Sequence, residues 1–277
     1  MPVKTFSGHG SGGHGPGEVA HDAPVLVEVD GAVARIILNR PHQHNAVTTA
    51  LAVGLRRAIA DVGHRPDVRV IVLSGAGGHF CSGGDFDEVT ALSARGADTL
   101  RGLFDEFGAA CAAIGDVPVP VIAAVAGDAM AGGFELLQAS DIVLVSDSAR
   151  ISDNHIRFGM IPGGGGSQRL PRLVGTQRAL GHMLSGDRID GAQAVAWGLA
   201  YEMYADHEFA DRTEQFASRI AGFDPVAVGR IKQLVRSGLT GSLAEGLAAE
   251  TDAVVDHIIA GTGARGAQRF AGRGGRS

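Results

Sequence analysis

Two glycine-rich turns in the sequence carry the residue types that could manage a developing negative charge. The first is His79-Phe80-Cys81-Ser82-Gly83-Gly84-Asp85. The second is Gly127-Asp128-Ala129-Met130-Ala131-Gly132-Gly133-Phe134-Glu135. Glycine leaves no Cβ between a backbone N–H and a ligand. The second turn opens a predicted helix, whose free N–H groups and dipole favour negative charge. Two such N–H groups aimed at one oxygen form an oxyanion hole. Glu135 falls in the first turn of the same helix, close enough to exchange a proton with whatever the hole holds. The same residues also fit two tight turns and a capping glutamate, and physics alone leaves the two readings level.

Other site chemistries lack their residues. A mononucleotide P-loop needs a Gly-Lys-Ser/Thr ending, and no lysine stands there. The glycines follow the wrong elements for a dinucleotide fingerprint. Ser82 lacks the preceding glycine of a Gly-x-Ser-x-Gly nucleophile elbow. Cys81 and Cys111 have no metal spacing and, as two thiols in a long chain, suit a reducing compartment.

The elements that must hold the turns are legible from pattern. Residues 25–41 read as two β-rich runs about an Asp30-Gly31 turn. Leu51, Leu55, Ala58 and Ile59 mark one face of a helix over 49–62. The continuous apolar runs 68–77 and 120–127 predict strands buried on both faces. A helix is expected over 97–115 and a third strand over 142–149. From Asp206 onward the pattern is mostly helical. Strands alternating with helices, then a helix-rich last third, give an α/β class. The Gly/His/Ser-rich residues 1–23 and the stretch 274–277 read as disordered tails, residues 24–205 as the core, and 206–273 as a helical subdomain.

Composition narrows the partners. The chain has 277 residues, 45% of them apolar, with a net charge of −6. That balance argues against nucleic acid and anionic membranes as partners. No apolar run is long enough for a span, and no signal segment is expected at the N-terminus, so a cytoplasmic protein is anticipated. Aromatic residues make up only 5%, so the core must be built from Ala, Val, Leu and Ile.

Taken together, the motifs resemble the crotonase, or enoyl-CoA hydratase/isomerase, superfamily. The matching segments are Asn39-Arg40-Pro41, Asn45-Ala46, Phe80 to Asp85, Ala131-Gly132-Gly133-Phe134-Glu135-Leu136, Gly159-Met160-Ile161-Pro162-Gly163, Gly165 to Leu170, Gly186-Asp187-Arg188-Ile189, Gly198-Leu199 and Glu245-Gly246. The resemblance runs from about Val25 to Arg273. It implies a crotonase-like β-β-α superhelical spiral core with a C-terminal helical trimerisation region, where Phe270 and Arg273 match a terminal signature. A homotrimer or dimer of trimers follows. The resemblance also implies an acyl-CoA thioester as ligand, with coenzyme A as part of the substrate and no separate cofactor or metal. Its thioester oxygen would rest on the N–H groups of Gly84 and Gly132, and Ser82, Asp85 and Phe86 would flank it. His42 and Ala46 match the segment that borders the CoA nucleotide, although His42 equally fits an ordinary exposed loop residue.

One position departs from the family. Its hydratases hold one water with two glutamates, and the second matches His155. Histidine can serve as an acid or base near neutral pH, so Glu135 and His155 are the catalytic candidates. Three functions fit: hydration or double-bond shift of an enoyl-CoA, hydrolysis of a C–C bond or thioester on the same scaffold, and non-catalytic acyl-CoA binding. Phe86, Leu92, Leu103, Phe107, Phe134 and Phe158 could line the acyl pocket or simply pack the core.

Overall fold

The computed structural model describes residues 23–261 and the two-residue strand β1 (Lys4–Thr5). Strands β2 (Val25–Asp30) and β3 (Val33–Leu38) form the expected hairpin, with Asp30 opposite Val33 and Gly31 at φ +57°. Helix α1 (Thr49–Gly63) follows, capped by the Thr48 side chain. Strand β4 (Val70–Gly75), helices α2 (Phe86–Ala94) and α3 (Ala97–Asp116), and strands β5 (Val121–Val125) and β6 (Asp128–Met130) come next. Helix α4 (Gly132–Ala139) leads to strands β7 (Ile142–Ser146) and β8 (Arg150–Ser152). Helices α5 (Gly166–Val174), α6 (Thr176–Ser185) and α7 (Gly191–Ala196), strand β9 (Glu202–Tyr204) and helix α8 (Asp206–Ala221) complete the larger unit.

The main sheet has the order β1-β2-β3-β4-β5-β7-β9, antiparallel at its first two pairings and parallel from β3 onward. Its central strands β4, β5 and β7 are mostly apolar because both faces are covered. Ile71 and Leu73 of β4 join the main core, to which α1 and α3 contribute Leu51, Leu55, Ile59, Leu103, Phe107 and Ile114. Val70 and Val72 of the same strand point the other way and pack with Ile122, Leu144, Phe216 and Ala217. Alternate residues on one strand thus feed two layers. Cys81 and Cys111 are buried and unpaired, and burial pushes both thiols up to about 12.

Two expectations are corrected here. The N-terminal tail is not wholly without structure: Lys4 pairs with Val27 and Thr5 with Leu26. The unpaired edge of β2 supplies the backbone groups for that addition. Residues 1–3 and 6–22 lie outside the described residues, as do 262–277 with Phe270 and Arg273. The boundary at 205/206 also moves, because α8 seals one sheet face with Phe216 and Ala217. The larger compact unit therefore runs to Gly222.

The second unit, from Phe223, holds helices α9 (Pro225–Gly238) and α10 (Leu243–Ile259). Asp224 caps α9 by accepting from the N–H groups of Val226 and Ala227, and Ser242 with Glu245 forms a capping box on α10. The Arg230 guanidinium donates to the Ala253 carbonyl at 3.0 Å and ties the pair. No helix among the described residues is long and apolar enough to cross a membrane.

A second, small sheet positions the functional turns. In it β6 and β8 run parallel, with Ala129 opposite Ile151 and Met130 opposite Ser152. Cys81 bridges Ala129 in parallel on the other side. Three chain segments therefore run side by side and leave at one end. Gly133 sits where they crowd: a Cβ there would fall 2.1 Å from the Cys81 carbonyl oxygen. Gly133→Ala is expected to cost about 3 kcal/mol through overpacking and to lower Tm by roughly 6–12 °C. A thermal melt within 2 °C of wild type would contradict this packing.

Candidate active site

The three segments that leave the small sheet together are Ser82–Gly84, Ala131–Gly132 and Asp153–His155. All three line one pocket with a cavity volume of about 110 Å³. Val47 pairs in parallel with Gly84, its N–H bonding to the Gly83 carbonyl and its carbonyl accepting from the Asp85 N–H. A parallel bridge of that kind uses the groups flanking Gly84, so the Gly84 N–H faces the opposite side. Gly132 is the first residue of α4, where the N–H lacks an intrahelical acceptor. Ala131 turns the chain into that helix at φ +47°, a conformation L-residues rarely adopt, and its N–H is anchored on the Ser152 carbonyl at 3.0 Å. Such strain costs on the order of 1–3 kcal/mol and is kept where the surroundings enforce it.

Glu135 lies one turn into α4 and is 2% exposed. Its Oε1 accepts the N–H groups of Gly164 and Gly166, both at 2.8 Å. Its Oε2 stands 3.9 Å from Nε2 of His155. Burial pushes the Glu135 carboxyl above its ordinary range; the two N–H groups and the His155 charge oppose the shift without cancelling it.

His155 sits at the start of a short 3-10 turn that ends at Phe158. Its Nδ1 lies 2.6 Å from Asp153 Oδ1. A carboxylate can only accept, so Nδ1 carries the hydrogen and the neutral ring turns its Nε2 lone pair toward Glu135. Burial opposes the imidazolium, but the Asp153 hydrogen bond and charge, aided by Glu135, outweigh it and raise the His155 pKa. Asp153 is itself 1% exposed. Its N–H donates to Nε2 of the buried His182 at 3.0 Å, and burial lowers the pKa of that ring. The result is a chain of three groups, Asp153, His155 and Glu135, ending at the pocket.

The pocket brings together Gly84, Gly132, Glu135, His155, Ser82 and Phe86 among the residues anticipated from sequence. It does not include Asp85, Ala46 or His42. The Asp85 carboxylate is committed to Arg40 at 2.9 Å and to capping α2 through the Glu88 N–H. Ala46 is buried and its carbonyl accepts from Arg40. His42 is exposed in the turn Pro41–Gln43. Leu103, Phe107 and Phe158 line the pocket, whereas Leu92 packs against the core and Phe134 is fully buried against His182. Phe104 and His182 were not anticipated as site residues; Asp153, the acid two places before His155, is legible in the sequence as a polar neighbour that could contribute.

One further cluster, His44, His79 and Asp128, brings metal-ligand atoms within 4.8 Å. The two imidazoles stack in parallel, 4.2 Å apart, and Arg150 holds both Asp128 oxygens. Parallel rings do not aim their nitrogens at one point, so stacking and ion pairing account for the cluster.

Residues 28–275 match the enoyl-CoA hydratase/isomerase family. The chain belongs to that family. It is 35% identical to a probable enoyl-CoA hydratase of Rhizobium meliloti over 223 residues, 80% of this chain and 85% of that protein. It is 32% identical to a peroxisomal Delta(3,5)-Delta(2,4)-dienoyl-CoA isomerase of Arabidopsis thaliana over 228 residues, 79% and 82% of the two chains. The crystal structure of an enoyl-CoA hydratase from Bacillus anthracis superposes with a TM-score of 0.86 at 30% identity, covering 90% of this chain and 96% of that one. The fold is thus that of the enoyl-CoA hydratase/isomerase family, mixed α/β with a crotonase-type core.

The electrostatics of this family member make a direct prediction. By NMR, the His155 ring should titrate above pH 6.5 and the His182 ring below it. Asp153→Asn removes the hydrogen-bonding charge that holds His155 up, so its titration should move to lower pH. An unchanged His155 titration in that variant would contradict the arrangement.

Proposed function

We propose that this enoyl-CoA hydratase/isomerase family member adds water to a 2-enoyl-CoA thioester, with Glu135 and His155 as its proton-handling pair. The observation that carries the reading is the 3.9 Å separation of Glu135 Oε2 and His155 Nε2 inside the pocket lined by Gly84 and Gly132. Two acceptors that far apart can each take one hydrogen of a single water at ordinary hydrogen-bond lengths, with an angle at oxygen of roughly 90°.

On this reading the thioester oxygen accepts from the N–H groups of Gly84 and Gly132. The water oxygen bonds to C3 while Glu135 takes one of its protons. The C2=C3 electron pair moves onto the thioester oxygen as an enolate. Glu135 then returns that proton to C2, so one water is added and no other reactant is consumed. His155 keeps the water aimed by accepting its second hydrogen, which only the neutral ring can do. Coenzyme A enters as part of the substrate. A double-bond shift by Glu135 alone is the second reading, favoured by the likeness to the plant dienoyl-CoA isomerase.

Turnover of crotonyl-CoA, with identification of the product, tests the proposal. The expected product is the 3-hydroxyacyl-CoA; a shifted double bond would favour the isomerase, and free CoA would favour thioester hydrolysis. Glu135→Gln should lower kcat about 100-fold or more, and wild-type rates in that variant would overturn the role of Glu135. The sign of the pH dependence follows from His155. Its raised pKa means that the neutral ring is lost as pH falls through a value above 6.5, so kcat/KM should decline on the acid side from there. A profile flat down to pH 5 would remove His155 from the mechanism.

We also propose that the protein self-associates as a homotrimer or a dimer of trimers. Ile231, Val235, Leu239, Leu243, Ile258 and Ile259 of the α9–α10 unit are exposed, and large apolar surfaces usually mark contacts. Light scattering at micromolar concentration should give the mass of three or six 28.4 kDa chains; a monomer mass would contradict this.

A further inference from the structure

The phenylalanines of this chain are unevenly placed. It has 11, with only two tyrosines and one tryptophan among its 277 residues. Four of them, Phe86, Phe104, Phe107 and Phe158, line the pocket that also holds Glu135 and His155. The core elsewhere is filled chiefly with Ala, Val, Leu and Ile, so an apolar wall for an aliphatic chain was within the same repertoire.

The rings are built into the site. Phe107 is 4% exposed. A Cβ on Gly164 would fall 2.3 Å from its ring and 3.0 Å from Glu135 Oε2, so ring, glycine and carboxylate converge. A Cβ on Gly132 would be 3.6 Å from the same ring. Phe104 is admitted in the same way, since a Cβ on Gly163 would fall 2.5 Å from it. At the rim, Phe86 and Phe158 meet at 5.1 Å with planes tilted 55°, and they remain 52% and 57% exposed. Exposed rings at a pocket mouth are apolar surface that a ligand can cover. Among the described residues that line the pocket, Glu135 and His155 are the only ones with ionisable side chains.

We propose that the acyl group of the substrate is aromatic: a thioester whose aryl ring, without a charged substituent, sits on C3 of the enoyl chain. The inference rests on the thioester reading above. Aromatic walls reward an aromatic guest because each edge-to-face or offset ring pair adds roughly two- to tenfold in affinity beyond area alone.

The test is calorimetric binding of three saturated CoA esters to the intact protein: 3-phenylpropanoyl-CoA, octanoyl-CoA of similar acyl size, and butyryl-CoA. The phenylpropanoyl ester should bind at least tenfold more tightly than the octanoyl ester, and Phe104→Leu and Phe158→Leu should each narrow that preference at least threefold. Equal or tighter octanoyl binding overturns the proposal, as does a preference that survives both substitutions. Saturated esters cannot add water, so the measurement separates the two readings. Ring preference without hydration of either crotonyl-CoA or 3-phenylpropenoyl-CoA sinks the hydration alone, hydration without ring preference sinks the aromatic acyl group alone, and no binding of any ester overturns both.

Discussion

The buried carboxylate of Glu135 is the constraint on which the rest of the site depends. A carboxylate at 2% exposure is tolerated only where donors replace the water it has lost. Here two backbone N–H groups do so, from Gly164 and Gly166. They can approach because those residues lack side chains: a Cβ on Gly166 would stand 3.1 Å from Glu135 Cγ. Within the glycine run 163–166, Gly164 and Gly166 therefore serve close approach to that one carboxylate. The start of α4 is under the same pressure, with Gly133 packed on the Cys81 carbonyl and Ala131 held at positive φ. One oxygen of Glu135 is saturated by the fold, and the other is left for chemistry.

That free oxygen faces an imidazole, at the position where the family resemblance implies a second glutamate. The exchange changes more than a residue type. Two carboxylates in one pocket repel, whereas Glu135 and His155 attract when the ring is charged and can share a water when it is neutral. Asp153 decides which nitrogen of His155 carries the hydrogen, and His182 fixes the backbone of Asp153 in turn. The buried polar chain is thus ordered from the interior outward to the pocket. On the proposed reading, this order lets a histidine do a carboxylate's work.

Much of this was legible in the sequence. Continuous apolar runs announced β4 and β5, buried on both faces, and period-3.6 spacing announced α1. The two glycine turns and Glu135 were visible as candidates because a glycine turn that opens a helix after a buried strand leaves backbone N–H groups free, although tight turns with a capping glutamate fit the same residues. The short elements were not visible: β1, β6, β8 and β9 have two or three residues each, too few to show a period. The parallel alignment of Cys81, Ala129 and Ile151 is a long-range fact that no local pattern encodes. Asp85 entered as a substrate contact through the family resemblance, and tertiary structure supplies Arg40 as its partner. Helix α8 read as part of a separate helical region because its apolar stripe does not say which surface it covers.

The central claim is that Gly84 and Gly132 hold the thioester oxygen while Glu135 and His155 hold one water at C3. A crystal structure of the protein with bound butyryl-CoA tests it most directly. The account predicts the thioester oxygen at about 3 Å from both backbone nitrogens, and an ordered water within hydrogen-bond reach of Glu135 Oε2 and His155 Nε2. A thioester oxygen bound away from those two nitrogens, or acyl carbons filling the space between Glu135 and His155, would contradict it.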